Sequence, residues 1–119
     1  MRDHTAARQQ HDESLEAAES ALRRGDAVAA AKILTPLAAA GVPRAQTLLG
    51  RAREARGGGQ RSDFEAYVWY GIAARNGDPS APGLKEKVAP RLQPAEILQA
   101  EKIVKGWKPG AEPASGAGS

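Results

Sequence analysis

Gly57-Gly58-Gly59-Gln60-Arg61-Ser62 is the stretch that most invites chemistry. A glycine-rich loop that opens a helix can turn its amides onto a phosphate. A phosphate loop of that type needs a preceding strand and a Gly-Lys-Ser/Thr ending. This chain has neither, so the glycines are expected to form a plain loop between helices. His4 and His11 stand seven apart, with no Cys and no carboxylate arranged beside them on a helix, which is not a metal-ligand set. No serine lies in a nucleophile-elbow context, and no histidine follows position 11 to serve as its base. The expectation is no catalytic residue, no cofactor and no metal.

What remains is charge. Arg44, Arg51, Arg53, Arg56 and Arg61 are the densest basic group, suited to an acidic peptide or to nucleic acid. Base stacking on exposed aromatics is not expected, because Tyr67, Trp69 and Tyr70 are needed inside. Within this group the stripe Arg44, Thr47, Arg51 and Glu54 recurs at i, i+3, i+7 and i+10, and these four are the expected partner-binding residues. The alternative is a solvated helix face whose Arg stems cover alanines. Trp107 could line an aromatic peptide pocket, but closing the last helix is the preferred role.

The chain of 119 residues is long enough for one domain with a modest core. Its 41% hydrophobic fraction owes much to Ala, and aromatics are only 4%, which favours closely approaching helices. No segment alternates apolar and polar residues with β-branched enrichment. The fold class is read as all-α. A net charge of +3 and a pI near 9.5 leave acidic partners welcome, short of the concentrated basic face of a nucleic-acid binder. The absence of Cys excludes disulfides and thiolate chemistry. The polar opening cannot serve as a signal peptide, and no run is long enough to span a bilayer. The expected location is the cytoplasm, with the periplasm or secretion as the alternative if a leader has been removed.

Six helices are expected. Residues 1–11 are read as a flexible arm, residues 12–107 as the helical domain, and residues 108–119 as a flexible Pro/Gly/Ser/Ala tail. The first helix, Asp12 to Arg24, has an apolar stripe of Leu15, Ala18 and Leu22 and stops at Gly25. Asp26 caps a second to about Ala40, crossed by Pro36. Pro43 opens a third to about Arg56. Ser62 to Asn76 is apolar nearly all round, so neighbours must cover it on several sides. A weaker segment runs from Asp78 to about Leu92, broken by Pro82-Gly83. The last helix starts at Pro94, with Glu96 placed to satisfy its first amides.

Two segments repeat each other, Gly25 to Ala45 and Asp63 to Ala81. Each ends in paired alanines, a glycine (Gly41, Gly77) and an alanine four residues on (Ala45, Ala81). Repetition at such a period marks stacked helical repeats. The pattern carried by Ala45, Leu49, Gly50, Gly57 to Gly59, Asp63, Ala66, Trp69, Tyr70, Ala73, Ala74 and Gly77 resembles Sel1-like repeats, relatives of the tetratricopeptide repeats. The likeness covers roughly Gly25 to Pro109. It departs at Arg53 (usually Tyr), at Gln60 (commonly Val), at the spacing of Asp63 and at Gln93 (usually a Thr cap). The resemblance implies a short α-solenoid of antiparallel helix pairs, and an adaptor or scaffold in bacteria that binds a protein or peptide on a helix-lined surface. Self-association of copies is the alternative. Hydrolysis of a cell-wall or lactam substrate, ascribed to a cysteine-rich branch, has no cysteines here to support it.

Overall fold

Several helix ends fall where a residue can satisfy loose backbone groups. In the computed structural model, residues 2–57 and 59–110 are described, with side chains for 9–57, 59 and 61–110. Six α-helices follow in order: α1 Arg2–Arg23, α2 Ala27–Ala39, α3 Pro43–Ala55, α4 Gln60–Arg75, α5 Ala81–Val88 and α6 Pro94–Gly106. A 3-10 turn, Ala89–Arg91, joins the last two. The described residues contain no strand, so the class is all-α.

Asp26 caps α2 by accepting the Ala29 amide at 3.0 Å. Pro36 sits inside α2 and the helix continues through it. Glu96 reaches back to the Gln93 amide at 2.8 Å and secures the start of α6. Gly77 terminates α4 at φ +105°, a left-handed conformation that glycine adopts without strain. There the Asp78 amide returns to the Ala73 carbonyl and the Gly77 amide to that of Ala74. The same pair of bonds closes α2 at Gly41, through Val42 to Leu37 and Gly41 to Ala38. The repeated Ala-x-x-Gly sequence (Ala38 to Gly41, Ala74 to Gly77) thus produces the same stop twice, and the alanines that follow, Ala45 and Ala81, are both fully buried.

Three boundaries differ from the sequence reading. The first helix does not wait for Asp12: α1 runs back to Arg2, through the segment expected to be a loose arm. Residues 2–11 contain no Gly or Pro, and a helix already nucleated gains one hydrogen bond per residue added. Pro82 and Gly83 do not interrupt α5 but lie in its first turn, where a missing N–H costs nothing. The segment then breaks at Val88 into the 3-10 turn that holds Pro90. Helix α4 begins at Gln60, two residues before Ser62, with Gly59 as its cap. Of the expected tail, residues 111–119 lie outside the described residues.

Helix α4 is the hub. It packs most extensively on α3, and also on α5, α6 and the 3-10 turn, while α2 links α3 to α1. Every residue from Ala66 to Ala73 is buried, as expected for a helix without a polar face. Two glycines allow the closest approaches. An added β-carbon at Gly50 of α3 would lie 2.6 Å from the Tyr70 ring, and one at Gly71 of α4 would lie 2.7 Å from Val104 of α6. Past α6, the chain turns back over α2. Arg75 donates to the Val104 and Lys105 carbonyls at 2.5 and 3.0 Å, Trp107 is buried, and the Gly110 amide donates to the Ala39 carbonyl at 2.6 Å.

Candidate functional site

The four residues of the α3 stripe do not share one surface. With about 100° of rotation per residue, seven residues bring Arg51 back to within about 20° of Arg44. Thr47 and Glu54 fall about 60–80° further round, and that offset is enough to turn them into the protein. Thr47 is fully buried, and its hydroxyl donates to the Asp78 carboxylate in the turn after α4. Asp78 also accepts from the Ser80 amide at 3.2 Å and hydroxyl at 3.1 Å. Burial on its own raises the Asp78 carboxyl. The bonds from Thr47 and Ser80, with the charge of Arg44, outweigh that and hold it below the usual carboxylate range.

Glu54 is likewise engaged with neighbours. One oxygen accepts from the Tyr70 hydroxyl at 2.6 Å and the other from Arg91 at 3.0 Å. Arg91 also donates to Asp63 at 3.2 Å, which ties the 3-10 turn to α3 and α4. Burial, with the adjoining Glu54 carboxylate, pushes the Tyr70 hydroxyl far above its ordinary value. Tyr67 is raised for the same reasons, burial first and then its bond to Glu101. These groups brace the helices. Thr47 is therefore withdrawn as a surface contact, and Glu54 as a free one.

The broader arginine group also divides. Arg53 and Arg61 both lie against Glu65, at 3.4 and 3.5 Å, and their charge is engaged locally on α4. Arg44 and Arg51 stay on the other side, facing α1. There a cleft of about 340 Å³ opens between α1 and α3, lined by Glu19, Leu22, Arg23, Arg44, Arg51 and Ala55. Arg44 donates to Glu19 at 3.0 Å across its mouth. Arg23 and Arg51 are exposed, and among the described residues neither makes a hydrogen bond or ion pair. Three arginines against one glutamate leave the cleft with two positive charges beside the aliphatic wall of Leu22 and Ala55.

Sequence reasoning placed two of these six, Arg44 and Arg51. Leu22 and Arg23 were visible only as the end of an amphipathic helix, and nothing local to α1 says which face of α3 it will meet. The glycine loop follows a helix and leads into α4, as an inter-helix connection should; Gly58 itself lies outside the described residues. His11 lies on α1, the His4 side chain is outside the described set, and no described group of three or more His, Asp or Glu is placed to hold a metal ion. Among the described residues no helix is long and apolar enough to cross a membrane.

No protein-family model, curated protein or solved structure matches the chain.

Proposed function

We propose that this chain is a non-enzymatic interaction module, a short α-solenoid of the Sel1-like kind, which binds a protein or peptide in the cleft between α1 and α3. The observation that carries the reading is the cleft itself: two guanidinium groups, unpaired among the described residues, beside an aliphatic wall between two helices. Its volume falls in the range of ordinary binding clefts, and two of its polar groups, Arg23 and Arg51, are donors that make no hydrogen bond or ion pair among the described residues. The solenoid assignment draws on the sequence likeness, on the two matching helix stops at Gly41 and Gly77, and on consecutive helices packing on one another. A Sel1-like unit cannot bury its apolar face alone, so α4 in the middle and α1 and α6 as end helices fit such an array.

The test is capture from the source organism by the full chain and by its Arg23→Glu/Arg51→Glu variant, with cross-links mapped by mass spectrometry. Arg44 is left alone because its loss would free Glu19 and disturb the α1–α3 contact. The expected result is a partner cross-linked to α1 and α3 that the variant loses while melting as the wild type does. A partner retained by the variant, or cross-linked only elsewhere, would sink the proposal.

A further inference from the structure

We infer that the cleft selects an acidic peptide segment, one whose carboxylate is taken between Arg23 and Arg51 while a neighbouring apolar side chain rests on Leu22 and Ala55. This rests on the interaction reading above and names its partner by chemistry. Charge complementarity is the first argument. The guanidinium of Arg44 already has a carboxylate, Glu19, at 3.0 Å, so the structure itself shows the pairing this cleft accepts. Arg23 and Arg51, on the same cleft, have no such carboxylate among the described residues. Arginine's planar fork matches a carboxylate in two parallel hydrogen bonds, which gives direction as well as attraction.

Shape is the second argument. Arg44 and Arg51 are seven residues apart, about 10 Å along the α3 axis, so the cleft follows the helix for two turns. A segment of chain fits that length better than a free small acid does. Among the described residues that line it the wall is aliphatic and has no aromatic ring, which removes the stacking platform that a nucleic-acid strand requires. Two cations unpaired among the described residues are also a short track for a phosphate backbone, whose binding grows with the number of charges neutralised.

Selection of a random-peptide display library on the full chain tests the inference. Enrichment in Glu and Asp is expected, with the selected peptides weakened about tenfold or more on the Arg23→Glu/Arg51→Glu protein. Binding should also fall steeply as salt rises. The Arg23→Gln/Arg51→Gln protein, which removes charge without reversing it, should show the same loss in smaller degree, and both should melt as the wild type does. Enrichment of uncharged peptides that still need Arg23 and Arg51 overturns the acidic selectivity and leaves the interaction module standing. Acidic peptides that bind both variants undiminished overturn the placement in this cleft. An absence of enrichment, or tighter binding of a single-stranded oligonucleotide at the same residues, overturns the inference altogether.

Discussion

Substituting Gly50 by Ala sets two effects of opposite sign against each other at one atom. In a helix interior Ala is more favourable than Gly by about 1 kcal/mol, and Gly50 lies inside α3, so propensity alone predicts a more stable protein. The added methyl, however, would stand 2.6 and 2.7 Å from two carbons of the Tyr70 ring. That ring has nowhere to go: Tyr70 is fully buried, and its hydroxyl is held on Glu54 at 2.6 Å. Forcing a methyl into such a core costs about 1–3 kcal/mol, and a ring fixed at both ends belongs at the upper limit. The net is a loss of about 2 kcal/mol, which for a domain of this size lowers the melting temperature by roughly 8 °C or more. Thermal and urea unfolding, followed by circular dichroism and Trp fluorescence, reads both numbers. The same substitution in a Tyr70→Leu background isolates the cause. With the ring gone, Gly50→Ala should be neutral or stabilising by up to about 1 kcal/mol. A wild-type background that tolerates Ala without loss would refute the close α3–α4 approach. A cost that persists in the Tyr70→Leu background, where the side chain is smaller, would refute the ring as its source.

Alkaline titration by ultraviolet absorbance should find neither tyrosine ionising near its ordinary value of about 10, because burial and the carboxylates of Glu101 and Glu54 disfavour both phenolates. Each raised value contributes stability that is complete below the unfolded tyrosine value and is lost as pH rises towards the folded one, so tyrosinate should appear together with unfolding; a separate one-tyrosine step in the folded protein would contradict this. Thr47→Val removes a donor to buried Asp78 and should cost about 1–3 kcal/mol at neutral pH. Since the Asp78 value is lowered on folding, its contribution is present above the unfolded carboxyl value of about 4 and fades as pH falls below it; urea midpoints of variant and wild type should therefore converge in acid, and a gap independent of pH would argue against the carboxylate. Trp69→Ala, at a position only 4% exposed, should cost roughly 3–5 kcal/mol and unfold the domain, which a cooperative melt near the wild-type temperature would reject.

The features legible in the sequence are those that depend on near neighbours in the chain. Asp26 announces the start of α2, and Gly41 and Gly77 announce two stops, because a cap is a contact between residues three to six apart. The burial of α4 from Ala66 to Ala73 follows from having no polar face to show to water. The all-α class follows from Ala-rich helical spacing with no strand pattern. Local reading also has limits within a single helix: α1 extends to Arg2 on backbone hydrogen bonds that need no apolar anchor.

The site depended on packing between helices. Arg44, Thr47, Arg51 and Glu54 look equivalent along α3, yet a rotation of about 40–80° separates the two that reach the cleft from the two that brace the core. Which side becomes interior is decided by where α1, α2 and α4 land around α3, and those contacts join residues up to about thirty positions apart: Thr47 with Asp78, Arg44 with Glu19. Helices, their ends and the identity of the inner helix could be read from the residues in order, since propensity, capping and amphipathic period act within a turn or two. Which arginines pair and which stay free could not, because an ion pair depends on distance in space, and spacing along the chain does not record it.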